Sequence, residues 1–299
     1  MAGTKPRITA EDAVAFLRSA FGKIEDFRAL SEGEESRAFG FSSDGEHLVL
    51  RVNISRRGFD MDQMAQERFA TAGLSIPVIR LIAPLDQYYA CVSERAAGMT
   101  LQDLAKGEAY AYGGAICRLL DQMGQCDMRW SQGYGPLSPD GKGQYESWSS
   151  FLVSITSRDW TLLSPSQAAH LPALLKLIER EAEHAPDIRC LIHGDFGSNN
   201  VVVGAGGVTG LIDWSETMVG DPLYDLANIF FWRPWLDCME QQCRYIIAEE
   251  PHRLEQGDRV VTLATHIGLA TAHEAAQAGD VALTDWALNR CTNLLETGI

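Results

Sequence analysis

Three side chains in the second half of the chain have the types and the spacing for chemistry. Asp195 and Asn200 lie within His193-Gly194-Asp195-Phe196-Gly197-Ser198-Asn199-Asn200, and Asp213 follows in Ile212-Asp213-Trp214. A carboxylate can orient a hydroxyl and accept its proton, while an amide and a second carboxylate can hold a hard cation. An Asp with an Asn five positions on, then a strand-borne Asp for Mg²⁺, is the order used in kinase-type phosphoryl transfer. The step from Asp195 to Asn200 is five residues, and Asp213 comes after it.

Two apolar runs must position these groups. Leu191-Ile192 and Val201 to Val203 read as short buried strands. Glycines from Gly204 to Gly207 turn the chain back, so Asp213 should arrive beside Asp195 and Asn200 on neighbouring strand ends. His193 is expected to brace the loop. A metallophosphohydrolase would recruit further histidines, and the other six are scattered, with His266 and His273 on one helical pattern as a packed or solvated pair.

The first third of the chain holds the candidate phosphate contacts. Thr9 to Asp12 has the form of a capping box and opens a short helix. Leu30 to Phe39 (LSEGEESRAF) is a polar tip between two strands, and its position makes Gly33 and Ser36 candidate phosphate neighbours. Leu48 to Asn53 alternates as a strand, with Leu48, Leu50 and Val52 on one face and Arg51 on the other. Arg51 occupies the place of a phosphate-holding Lys and offers a planar, permanently charged fork; without the downstream motif it reads better as a solvent-facing arginine on an edge strand. Asp60 to Ala72 reads as a helix, and either Asp62 or Glu67 could pair with Arg51. Ile76 to Val78 and Tyr88 to Val92 read as strands. The polar stretch Ser93 to Gly98 reads as a crossover, where the backbone at Ser93, Arg95 and Ala96 would meet a nucleotide base.

From Thr100 the pattern turns helical. Leu101 and Leu104 start one helix, Gly133 to Gly143 is expected to be a loop, and Ser164 to Gln167 caps another. Gly220-Asp221-Pro222 opens a helix, Pro234 a further one, and Gly279-Asp280 separates two final helical patterns.

The chain has 299 residues and a formal charge of −15. Nucleic-acid binding is not expected of so acidic a protein, and a cationic small substrate suits it, as does a merely soluble surface. No apolar run is long enough to span a membrane, and Met1 to Thr9 lacks the apolar core of a signal peptide. Seven cysteines at irregular spacing make neither a disulfide framework nor a metal pair, which fits a cytoplasmic protein.

Several stretches carry a resemblance to the aminoglycoside phosphotransferases. They are LSEGEESRAF, LRVN from Leu50, GMTLQDL from Gly98, GYGPLSPDGKGQY from Gly133, HGDFGSNNV, IDWSE, ANIFFWRPWL from Ala227 and MEQQ from Met239. Two of them, the runs beginning at Leu30 and Ala227, narrow the resemblance to one branch of that family. The resemblance implies an α+β, two-lobed protein-kinase-like fold. A small N-terminal lobe with an antiparallel sheet would span residues 1–95, and a larger, mainly helical lobe residues 96–299. It further implies ATP or GTP as donor, Mg²⁺, and phosphorylation of an aminoglycoside hydroxyl by a monomer. Asp195 would be the catalytic base, and Asn200 and Asp213 the Mg²⁺ ligands. A cationic acceptor calls for carboxylates and an aromatic wall, for which Asn199, Glu216, Trp235, Asp237 and Glu240 are candidates. A kinase for another small amino alcohol or sugar, and a nucleotide-binding module without turnover, remain alternatives.

Overall fold

The computed structural model describes residues 5–30 and 36–299. Thr9 caps α1 (Ala10–Phe21) and forms the expected box with Asp12. Five strands then make one antiparallel sheet: β1 (Glu25–Ala29), β2 (Arg37–Ser43), β3 (Glu46–Asn53), β4 (Ile79–Leu85) and β5 (Tyr88–Glu94), in the order β1-β2-β3-β5-β4. Arg51 is therefore on a central strand, between Ala38 of β2 and Cys91 of β5, rather than on an edge. Leu48, Leu50 and Val52 point from β3 into a small core with Ala13 and Leu17 of α1 and Phe39 and Phe41 of β2.

Between β3 and β4 runs α2 (Arg57–Phe69), which starts earlier and ends before the Gly73 expected to stop it. Its apolar face does not join the small core. Met61, Met64, Ala65 and Phe69 pack into the larger cluster that fills the second part of the molecule. Ile76 to Val78, expected as a strand, precede β4, and β5 continues through Glu94, which shortens the crossover to residues 95–98.

After β6 (Met99–Thr100), two turns of 3₁₀-helix replace the helix expected at Leu101, and the first long helix is α3 (Gly113–Gly124). The expected loop from Gly133 to Gly143 is instead a hairpin of β7 (Tyr134–Leu137) and β8 (Gly143–Tyr145). Its strands are too short, and too rich in glycine and proline, to show an alternating pattern. Next come α4 (Trp148–Ser154), α5 (Pro165–Ala168) and α6 (Leu171–Ala182), with Pro172 accommodated in the first turn of α6. Then follow β9 (Cys190–Ile192), β10 (Val201–Gly204), β11 (Gly207–Leu211) and β12 (Met218–Gly220). The chain closes with α7 (Leu223–Trp232), α8 (Asp237–Glu249), α9 (Gly257–Ala278) and α10 (Val281–Thr297). The last two pack on each other across Gly279. No described helix is long and apolar enough to cross a membrane.

Candidate active site

The strands flanking the central loop belong to different sheets, so Asn200 and Asp213 stand at the neighbouring ends of β10 and β11 as expected, whereas Asp195 follows a strand of the other sheet. β9 pairs with β12 in a four-stranded sheet, whereas β10 pairs with β11 and β6 in a three-stranded one. The loop from His193 to Asn200 bridges the two sheets and is fixed from below by α7. The backbone N–H groups of His193 and Gly194 donate to the two carboxylate oxygens of Asp225 at 2.8 and 3.0 Å. Asn228, one turn on, donates to the carbonyl of Phe196 at 2.9 Å. Burial pushes the Asp225 carboxyl up to about 6, against the opposing pull of His193 and its own hydrogen bonds. Asp225 was missed in the sequence, although a lone acid inside the apolar run LYDLANIFF is a signal for a buried carboxylate with a fixed partner.

His193 is fully buried and braces the loop, as expected. Its Nε2 lies 3.1 Å from the carbonyl oxygen of Ile212, tying the loop to the segment that carries Asp213. Gly194 has φ +88°, and a Cβ there would come within 2.1 Å of the Glu216 carbonyl oxygen, so only glycine fits this crossing. Gly197 faces the flexible end of the Met239 side chain of α8, which could move aside, so it is the φ of +111° that favours glycine there.

These restraints bring the three predicted groups together. Asn200 is 4% exposed, and its Nδ2 donates at 2.8 Å to both the backbone carbonyl and the Oδ2 of Asp195. The backbone N–H of Ile212 donates to the carbonyl of Asn200 at 3.0 Å, which sets Asp213 beside that pair. Asp213 has φ +61°, a left-handed conformation that a non-glycine residue adopts at a cost. Both Asp195 and Asp213 are solvent-exposed.

Arg51 forms an ion pair with Asp62, which settles the choice left open with Glu67. Glu67 is exposed and accepts from Gln63 instead. Helical phase could have made the choice: Asp62 shares its face with Ala65 and Phe69, three and seven residues on, so it had to be buried. Asp62 is 4% exposed, and its Oδ1 accepts the N–H of Trp214 at 2.8 Å. Burial pushes its carboxyl up, partly offset by Arg51. Burial disfavours the Arg51 charge, yet Asp62 outweighs that and the guanidinium is held more firmly protonated than usual. It also lies over the Phe59 ring, 5.3 Å from its centroid.

A cleft of about 530 Å³ runs between the five-stranded sheet and the loops below it. Arg51, Asp62, Asn200 and Asp213 line it, together with Ser36, Ser93, Arg95, Ala96 and Asn199. Val49, Ile76, Ile79 and Leu211 supply apolar walls. Gly33 lies outside the described residues. Asp195 lies beyond the wall but is bonded to Asn200, which is part of it.

Glu216, Trp235, Asp237 and Glu240 do not line this cleft. Trp235, 50% exposed, packs its ring on Trp286, 4.7 Å away. Asp237 accepts the N–H of Gly107 at 2.8 Å and borders a smaller recess of about 270 Å³ beside Leu101 and Gln102. Glu240 is paired with Arg233 at 2.6 Å.

Among the described residues no group of three or more His, Cys, Asp or Glu could hold a metal by itself. Mg²⁺ keeps several waters and is usually bound by one or two carboxylates together with substrate phosphates. With Nδ2 of Asn200 committed to Asp195, its Oδ1 remains as a ligand oxygen alongside the Asp213 carboxylate.

An antiparallel sheet over a largely helical body, with this cleft between them, is the fold of a kinase-like phosphotransferase. The chain belongs to the phosphotransferase enzyme family, whose family model matches residues 26–255. It is 39% identical over 299 residues to the hygromycin-B 4-O-kinase of Escherichia coli, covering 98% of this chain and 87% of that protein. The crystal structure of aminoglycoside phosphotransferase APH(4)-Ia superposes with a TM-score of 0.92 at 38% identity, covering 97% of this chain and 100% of the other. A thermostable mutant of APH(4)-Ia, in ternary complex with AMP-PNP and hygromycin B, matches with a TM-score of 0.89 at 40% identity, covering 94% and 97%. The structure of the GDP and kanamycin complex of APH(2")-IIia, at 13% identity and a TM-score of 0.66 over 94% and 97% of the two chains, shares the fold.

Proposed function

We propose that the protein transfers the γ-phosphoryl group of ATP or GTP to a hydroxyl of hygromycin B and so inactivates the antibiotic. The observation that carries the acceptor is the likeness to a hygromycin-B 4-O-kinase along 98% of the chain. The runs beginning at Leu30 and Ala227 already pointed to that branch of the family.

In this reading Asp195 orients the acceptor hydroxyl and takes its proton. The new bond joins that oxygen to the γ-phosphorus, the bond to the β,γ-bridging oxygen breaks, and the nucleoside diphosphate leaves. Because such transition states are loose, holding the reactants in line contributes more than basicity. One hydrogen bond from Asn200 holds the Asp195 carboxylate and a second holds its backbone carbonyl, which keeps the acid in one orientation. Arg51, pinned by Asp62, presents its fork to the non-transferred phosphates. Mg²⁺, held by Asn200 and Asp213, would neutralise charge on the phosphate oxygens. The backbone from Ser93 to Ala96, with Ser36 opposite, would frame the base and phosphates, and Asn199, which lines the cleft beside Asn200, would face the acceptor.

We take residues 1–95 as the nucleotide-binding lobe and 96–299 as the catalytic and acceptor-binding lobe, acting as a cytoplasmic monomer. The short link after β5 supports that division, and the odd number and irregular spacing of the seven cysteines suit a reducing compartment. An assay of nucleoside diphosphate release, run with hygromycin B, other aminoglycosides and choline, tests the proposal. Turnover with hygromycin B well above the rest is the expected result. Turnover with choline or another aminoglycoside alone would move the assignment to a different small-molecule kinase, and none with any acceptor would leave only a binding module.

A further inference from the structure

The segment from Ile212 to Thr217 has no regular secondary structure, so its shape depends on what holds its backbone groups. Ile212 is bonded to Asn200 and His193, and Trp214 N–H to Asp62. Thr217 donates through its N–H and its hydroxyl to the Trp214 carbonyl, and Leu137 N–H donates to Thr217. A further anchor comes from the exposed start of α2. Arg57, in the first turn of α2, donates from one guanidinium nitrogen to the Ser215 carbonyl at 3.4 Å and from the other to the Leu137 carbonyl at 3.2 Å. A Cβ at the neighbouring Gly58 would lie 3.6 Å from that of Ser215, so the helix start is in van der Waals contact with the same residue.

We propose that Arg57 is a positioning residue for metal binding. By bridging the Ser215 and Leu137 carbonyls it holds the segment that presents Asp213 in its left-handed conformation. A planar fork suits this task, because two carbonyls on separate chain segments are engaged at once. The inference rests on the assignment of Asp213 as a metal ligand. It adds a residue that touches neither metal nor nucleotide, and whose loss should be felt as a weaker cation site.

The test is calorimetric titration of the full chain with a non-hydrolysable ATP analogue over a range of Mg²⁺ concentrations and in EDTA. The variants are Arg57→Ala, Arg57→Lys and Asp213→Ala. Outer partners of metal ligands typically matter by 10- to 100-fold, so Arg57→Ala should require about tenfold more Mg²⁺ for half-maximal analogue binding. Affinity in EDTA should be unchanged, and Arg57→Lys, able to reach one carbonyl only, should fall between. A parental Mg²⁺ requirement in Arg57→Ala, even with a lower melting temperature, would overturn the proposal and leave the arginine as a staple of the fold. Equal weakening with and without Mg²⁺ would overturn it in favour of a direct nucleotide contact. Should Arg57→Ala not fold, Arg57→Lys decides by the same criterion. A parental Mg²⁺ requirement in Asp213→Ala would instead remove the metal-ligand assignment itself, and this inference with it.

Discussion

The side-chain amide of Asn200 grips Asp195 twice, at 2.8 Å on its backbone carbonyl and 2.8 Å on its carboxylate. The amide thus fixes both the turn of the loop and the direction of the acid. Replacing Asp195 by Ala should lower kcat by about 10²- to 10⁴-fold, the range spanned by positioned proton acceptors, with little change in acceptor KM. Steady-state kinetics check this, and near-parental turnover would take Asp195 out of the role.

Asp213 and Asn200 differ in what their loss should do. Asp213→Ala removes the proposed ligand from an exposed position and should abolish the Mg²⁺ dependence of nucleotide binding. Asn200→Ala should impair that dependence and also lower kcat, because Asp195 loses its guide. Titrations with and without Mg²⁺, alongside turnover measurements, separate the two effects; identical profiles would contradict the division of labour.

Asp62 ties Arg51 to the backbone of Trp214, so its removal strands a half-buried guanidinium and an N–H group together. Breaking a buried pair by removing one partner costs 3–5 kcal/mol; because the Arg51 side chain is 22% exposed, Asp62→Ala should lie near the lower end, at about 3 kcal/mol. Urea unfolding measures it. A loss below about 1 kcal/mol, as for a surface pair, would mean that solvent reaches the site freely.

Acid should destabilise the protein through His266. Burial holds its imidazole down at about 3, from an ordinary 6.5. The unfolded chain takes up that proton near 6.5 while the folded chain does not, so stability is full above 6.5 and is lost as pH falls toward 3. Asp225 has the opposite sign. Its carboxyl, raised to about 6 from 3.8, binds a proton first in the folded state, so its contribution grows as pH falls through that interval. Asp62, Glu216 and Glu274, also raised by burial, act in the same direction as Asp225, so the histidine contributes a decline of the unfolding midpoint from pH 7 to pH 4 that these carboxyls oppose. His266→Phe should flatten that decline; an equally steep one would assign it to other groups.

What could be read from the chain alone was what is local along it. Asp195 and Asn200 share one loop, and Asp213 is a single hairpin away, so residue type and spacing carried the site. The alternation of Leu48, Leu50 and Val52 likewise placed Arg51 on the opposite face of its strand. Partners distant in sequence were beyond such reasoning. Asp225 and Arg57 act on backbone groups, which bear no residue-specific mark, and Asp237 is tied to Gly107 across 130 positions. The hairpin of β7 and β8 escaped because its pairing depends on a neighbouring strand, β12, and not on its own pattern.

The packing of α2 has a consequence for motion. Met61, Met64, Ala65 and Phe69 are dissolved in the larger core although their chain neighbours belong to the sheet above. Swinging this helix outward would wet all four side chains, at about 25 cal/mol for each Å² of apolar surface exposed. The partner of Arg51 is therefore held against the larger body by the same burial that seats the helix, and moving it away would carry that hydrophobic cost.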